Sequence, residues 1–285
     1  VHSPKDVEKL SKIPLIGVVG KMDHPTNLIV KDKPKSTIAE SFRGIRSSLH
    51  FLYNQESLHG SRTIMVTSSV SGEGKTFTSI NLATVFALSG KRTLLVGLDL
   101  RKPKIFDDFE IDNDLGVSNY LVNDCSLNEI IRSAGIENLD IALSGPVPPN
   151  PSELIMSKRA GEMIEQFKKD YDYVILDTPP LGLVADALEI AKHADATLYM
   201  LRQEYTRKAM LDVVNEKYNR KEIDNLSFVF NYFNERGKYG YGYGYGYGYG
   251  YGYGAYGNGY HENENRKSYL SIMKKWFKSI FKPKA

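Results

Sequence analysis

Six short apolar runs, separated by helix-forming sequence, constrain this chain more than any other feature. They are "RTIMVTS" (62–68), "RTLLVGL" (92–98), "LDIALS" (139–144), "YVILD" (173–177), "TLYML" (197–201) and "LSFVFN" (226–231). Strands written as unbroken apolar runs are buried on both faces, and alternation with helices supplies the layers that bury them. The helical segments between them are 76–89, 115–132 in pieces, 152–169, 183–193 and 207–221. The expected fold is α/β: a P-loop type domain with a mostly parallel central sheet flanked by helices on both faces. In such sheets ligands bind at the carboxyl ends of the strands.

The sequence before the first run divides in two. Residues 1–35 are rich in Pro and Lys, with one short apolar run, "IPLIGVV" (13–19), expected as an edge strand or docking segment. The stretch 36–53 reads as a helix, because Ile38, Phe42, Ile45, Leu49 and Leu52 recur at helical spacing on one face. Thr37 and Glu40 have the form of a capping box at its start. At 285 residues the chain can build one large α/β domain with appendages. A net charge of +3 gives no argument for nucleic acid. One cysteine, Cys125, excludes an intrachain disulfide and fits a reducing compartment. The histidines form no metal-ligand pattern. There is no signal peptide and no apolar run of about 18 residues to span a membrane. The start at Val1 suggests a cytosolic piece of a longer chain.

The chemistry-bearing motif is "SSVSGEGKTF" (68–77), placed after the first core strand and opening a helix. Glycines let backbone N–H groups face phosphate oxygens, and the helix N-terminus adds positive dipole. Ser71, Gly72, Glu73, Gly74, Lys75, Thr76 and Phe77 are therefore expected to bind nucleotide. Lys75 would reach the β- and γ-phosphates, and the Thr76 hydroxyl would ligate Mg²⁺. The pattern G-x-x-x-x-G-K-T fails at one place, where Ser69 replaces the leading glycine. Two further strand ends add phosphate chemistry: Asp177, after "YVIL", and Asp99 with Arg101 in "GLDLR". ATP and Mg²⁺ are the implied cofactors. Lys75, Asp99 and Asp177 are the catalytic candidates; Thr76, Asp99 and Asp177 are the metal candidates; Arg101 joins the nucleotide set. The role of Arg202 is open. Asp186 reads as a helix cap or a brace of the site.

Taken together, "SSVSGEGKT", "LLVGLDLRKP", "GPVPPNPSELIMS" (145–157), "YVILDTPP" and a tyrosine-rich C-terminus resemble the bacterial tyrosine kinases. These are P-loop autokinases that control assembly and export of capsular and other extracellular polysaccharide. The resemblance covers 36–237, plus the tail by composition. It implies a kinase domain at 36–237, preceded by a juxtamembrane segment at 1–35. It places Asn231 near the adenine; the alternative is a turn residue. The family's Asp-x-Asp-x-Arg motif reads Gly97-Leu98-Asp99-Leu100-Arg101 here, so its first acid is missing. Asp99 or Asp177 must then cover its role, or catalysis is weaker. The family's self-association motif Glu-x-x-Arg-x-x-Arg is present at Glu40, Arg43 and Arg46. The resemblance makes this an outward polar stripe that joins subunits in a ring, commonly of eight; the alternative is a solvated face. Other implied partners are a transmembrane region of the same longer chain or a membrane activator, a cognate tyrosine phosphatase and the polysaccharide export machinery. The implied location is the cytoplasmic face of the bacterial inner membrane.

The segment 238–265 carries ten tyrosines, almost all alternating with glycine: Tyr239, Tyr241, Tyr243, Tyr245, Tyr247, Tyr249, Tyr251, Tyr253, Tyr256 and Tyr260. Glycine at every second position cannot pack a core and weakens a strand. The segment reads as a flexible leash of phenols, the expected phosphoacceptors, able to reach a neighbouring subunit. The last segment, 266–285, holds seven Lys or Arg and no acid, with Leu270, Met273, Trp276, Phe277, Ile280 and Phe281 on one helical face. Such a helix suits an anionic membrane surface; docking on the protein's own core is the alternative. Two rival functions share the fold: a partition- or septum-type ATPase switch and a catalytically weak scaffold. The first normally has a signature lysine early in the loop, where this chain has Val70.

Overall fold

The computed structural model describes residues 1–22, 26–52, 60–181, 186–223 and 225–234. The tyrosine repeat and the basic segment 266–285 lie outside the described residues. Eight strands form one sheet: β1 (Leu15–Gly20), β2 (Arg62–Ser68), β3 (Thr93–Gly97), β4 (Ile131–Ile136), β5 (Leu139–Ala142), β6 (Tyr173–Asp177), β7 (Ala196–Arg202) and β8 (Leu226–Phe233). Their order is β1-β8-β7-β2-β6-β3-β5-β4, and every pairing is parallel except β4 with β5. The six expected strands are all present. β4 is an addition: its half-exposed, Gly-containing sequence "IRSAGI" lacks the apolar run of a central strand, and it closes an edge as a hairpin.

Both faces of the sheet are covered. Ile64, Val66, Leu95, Ile175, Leu198 and Met200 belong to one buried cluster, while Met65, Leu94, Val96, Val174, Leu176 and Leu201 belong to the other. Successive strand residues point to opposite faces, so apolar runs feed both layers. Ten helices flank the sheet among the described residues: α1 (Pro4–Leu10), α2 (Ile29–Asp32), α3 (Thr37–Leu52), α4 (Lys75–Leu88), α5 (Ile105–Phe109), α6 (Val117–Leu121), α7 (Pro151–Ile155), α8 (Lys158–Asp170), α9 (Asp186–Ala191) and α10 (Lys208–Asn219). The expected helix 152–169 is two helices. Ser157 breaks it, accepting from the Ala160 amide as the N-cap of α8.

α3 buries Ile38, Phe42, Ile45 and Leu49, the face expected from spacing. Its cap is corrected by one residue: the Ser36 hydroxyl, not that of Thr37, accepts from the Ala39 amide. Glu40 pairs with Arg43 instead of reaching back to the cap. Residues 1–35 are also built into the fold. β1 pairs with β8, Val7 of α1 is fully buried, and Gly17 lies so close to Ile45 that a Cβ there would sit 2.3 Å from its Cγ1. No helix among the described residues is long and apolar enough to cross a membrane.

Candidate active site

Parallel pairing brings the carboxyl ends of β2, β3, β6, β7 and β8 to one edge of the sheet, and the motif residues gather there. The loop 69–74 leaves β2 and delivers Lys75 and Thr76 to the first turn of α4. Gly72 and Gly74 have φ of 90° and 99°, the left-handed region that glycine tolerates and other residues resist. Ser69 stands outside that region, which is why the loop forms without a leading glycine. Its hydroxyl accepts instead from Tyr199, 3.0 Å away, beneath the loop.

Asp177 is the centre of the site. It is 3% exposed; Thr76 Oγ1 donates to its Oδ2 at 2.8 Å and Ser79 Oγ to its Oδ1 at 3.1 Å. Burial pushes its carboxyl up to about 6; the Lys75 ammonium and the Thr76 hydroxyl oppose that rise, and the Asp99 charge adds to it. Lys75 is itself 6% exposed. The Thr76 hydroxyl, one deep carboxylate and a second acid nearby form a hard, oxygen-only donor set. That set suits Mg²⁺, which takes one or two carboxylates and completes its shell with phosphate and water. No group of three or more His, Cys, Asp or Glu that could hold a metal occurs among the described residues.

Other candidates are placed differently from a simple phosphate-contact reading. Arg101 donates to Asp186 Oδ2 at 2.9 Å and to the Ser152 hydroxyl, tying the β3 end to α9 and α7. Asp186 is thus a brace. Asp99 Oδ1 accepts from the Lys102 amide at 3.1 Å. The Glu73 side chain turns away from the loop's open side: its carboxylate accepts from the amides of Ser69 at 2.7 Å and Val70 at 3.0 Å, and from Thr206. Burial raises its carboxyl above the usual range, against those hydrogen bonds. Asn231 Nδ2 donates to the Glu73 carbonyl at 3.0 Å, packed so tightly that a Cβ on Gly74 would lie 2.0 Å from it. Arg202 donates to the Gly72 carbonyl at 2.7 Å. Beside these, Gly20, Met22, Asn27, Gly72, Gly74 and Phe77 line a cleft of about 230 Å³ next to the loop.

A family model described as an AAA domain matches residues 61–207. A putative tyrosine-protein kinase of Staphylococcus aureus, CapB, is 33% identical over 220 residues, 73% of this chain and 95% of that protein. The chain belongs to the bacterial tyrosine-protein kinase family. The kinase domain of the Escherichia coli tyrosine kinase ETK superposes with a TM-score of 0.75 at 28% identity, covering 86% of this chain and all of that domain. The cell-division protein MinD of Pyrococcus horikoshii, solved with Mg-ADP, matches at 22% identity and a TM-score of 0.51 over 60% of this chain, a likeness of fold alone.

Within this tyrosine-kinase frame, Gly97 is a departure with a steric cause. It sits in register with Asp177, and a Cβ at this position would lie 2.7 Å from Ser144 Oγ and 3.1 Å from Ser144 N. The end of β5 therefore fills the place a larger residue would need. The Ser144 hydroxyl donates to the Gly97 carbonyl at 3.0 Å, closing the two strand ends together.

The stripe on α3 is only partly outward. Glu40 is exposed, but Arg43 also donates to the Pro34 carbonyl at 2.7 Å, and Arg46 donates to the Val85 carbonyl of α4 at 3.2 Å.

Proposed function

We propose that this kinase-family domain transfers the γ-phosphoryl group of ATP to tyrosines of its own C-terminal repeat, on neighbouring copies, in support of extracellular polysaccharide assembly. The observation that carries this reading is the convergence of Lys75, Thr76 and Asp177 at the mouth of one candidate phosphate loop, in a chain that carries ten spaced phenols at 238–265. Phosphoryl transfer asks the protein for positioning and charge stabilisation, not for a covalent intermediate. Backbone amides of 71–76 and the N-terminus of α4 would cradle the phosphates. The Lys75 ammonium would offset charge on the β- and γ-oxygens. Thr76 and Asp177 would hold Mg²⁺, which when bound neutralises phosphate charge.

In the transfer, the phenol oxygen bonds to the γ-phosphorus while the bond from that phosphorus to the β,γ-bridging oxygen breaks, and ADP leaves. The phenol proton needs an acceptor. Both Asp177 oxygens already accept hydroxyl donors, so Asp99, half-buried at the rim, fits that role better. The repeat makes the acceptor interchangeable. Twenty residues span at most about 70 Å, enough to reach an adjacent subunit. The Glu40/Arg43/Arg46 stripe would join those copies in a ring, and a membrane anchor or activator would hold the ring beneath the inner membrane. Mass spectrometry after incubation with Mg·ATP tests the reading. Phosphotyrosine on the repeat of the native chain, and none in Lys75→Met, is the expected outcome; ATP hydrolysis with an unmodified repeat would support a switch ATPase instead.

A further inference from the structure

The turn that follows β7 has a property that no motif announced. Five consecutive residues, 202–206, bind three separate segments of the molecule. Arg202 donates to the Gly72 carbonyl at 2.7 Å, and Tyr205 OH to the Ser71 carbonyl at 2.9 Å. Thr206 donates to Glu73, whose carboxylate in turn gathers the amides of Ser69 and Val70. The turn therefore grips the phosphate loop at its crest and at its base.

The same turn holds two other segments. The Glu204 amide donates to the Val1 carbonyl at 2.9 Å, and Gln203 Nε2 donates to the His2 carbonyl at 2.9 Å. Gln203 also grips Asn234 from both sides. Its Oε1 accepts from the Asn234 amide at 2.6 Å and its Nε2 donates to the Asn234 carbonyl at 3.2 Å. Asn234 is four residues before the repeat begins. Glu204 and Tyr232 have φ of 55° and 60°, an uncommon region for a bulky residue. The Arg202 guanidinium lies 4.3 Å from the centre of the Tyr232 ring and 5.1 Å from that of Tyr205.

We propose that the 202–206 turn is a positioning element that couples nucleotide occupancy of the phosphate loop to the docking of residues 1–2 and of Asn234, the root of the tyrosine repeat. This rests on the nucleotide-site reading above and extends it. A nucleotide that orders the loop's backbone orders the turn through Ser71, Gly72 and Glu73. The turn then fixes both chain segments through Gln203 and Glu204. Linkage makes the effect reciprocal: whatever seats residues 1–2 or the repeat's root tightens nucleotide binding by the same factor. Gln203 is the informative residue, because its side chain contacts both segments and makes no recorded bond to the phosphate loop.

The test is amide hydrogen exchange of the full chain with and without saturating Mg·ADP, together with calorimetric Kd values. In the native chain, ADP should slow exchange of the Glu204 and Asn234 amides about tenfold. In Gln203→Ala that slowing should vanish at Asn234, with Kd for Mg·ADP raised about three- to tenfold. Thr206→Val should lose the slowing at both positions and Thr206→Ser should restore it, while exchange of the β2 core amides stays native in every variant. Tight ADP binding with no change at Glu204 and Asn234 would overturn the coupling but leave the nucleotide site intact. Full transmission in Gln203→Ala would also overturn it. Failure of the native chain to bind Mg·ADP would overturn the nucleotide reading itself, and the coupling with it.

Discussion

Restoring the missing acid with Gly97→Asp should damage this enzyme. A Cβ at position 97 would come 2.7 Å from Ser144 Oγ and 3.1 Å from Ser144 N, with Ile105 Cδ1 at 3.4 Å. The hydroxyl can rotate away, but it then loses its 3.0 Å bond to the Gly97 carbonyl, a loss of about 1 kcal/mol. The backbone amide cannot rotate away, and pushing a packed strand end typically costs about 1–3 kcal/mol. A new carboxylate would also stand in register with Asp177, already raised to about 6, and like charge would raise it further. The expected loss is about 2–4 kcal/mol, a Tm fall of about 4–16 °C for a domain of this size. Scanning calorimetry measures the first effect and initial rates of phosphotyrosine formation the second. Ser144→Gly in the same chain should recover part of the stability, because it removes the nearer of the two clashing atoms. A Gly97→Asp variant as stable as the native chain, or faster, would refute the claim that β5 has closed this position.

Three further outcomes are expected. Asp177 has a folded-state value raised from 3.8 to about 6, so folding disfavours its ionised form; its contribution is best at low pH and is lost as pH rises through that window, a difference of about 3 kcal/mol before discounting. Urea titrations of the nucleotide-free chain at pH 5 and pH 7 should show that trend relative to Asp177→Asn, and parallel pH profiles for the two would contradict it. Changing any one repeat tyrosine to Phe should leave total phosphorylation within about twofold by mass spectrometry, since glycine gives every phenol the same surroundings; loss of all signal from one change would contradict interchangeability. Arg46→Glu should weaken self-association in sedimentation, and it also removes the bond to Val85, costing about 1 kcal/mol of stability; unchanged sedimentation would reject the ring contact at this residue.

Much of the site was legible because its signals are local. A lysine and threonine after two glycines, between an apolar run and a helix, mark a candidate phosphate loop by spacing, and Asp177 closes the apolar strand that the fold sets beside it. The strand ends meet because parallel pairing leaves them no other edge. What the sequence hid is long-range. Nothing near Gly97 in the chain points to Ser144, which arrives from 47 residues away through β5. Arg101 carries the charge of a phosphate ligand, but Asp186 and Ser152 claim it once α7 and α9 are in place. Glu73 occupies a motif position yet serves the loop's underside, because the Ser69 and Val70 amides and the Thr206 hydroxyl take its carboxylate as their acceptor. The 202–206 turn has no compositional mark at all. Its role comes from standing where the candidate phosphate loop, residues 1–2 and the exit of β8 converge, a coincidence of topology created by placing β7 between β2 and β8 with β1 at the edge. That placement argues that this sheet order does more than bury strands: it sets residues 1–2 and Asn234 against the loop that would hold the nucleotide.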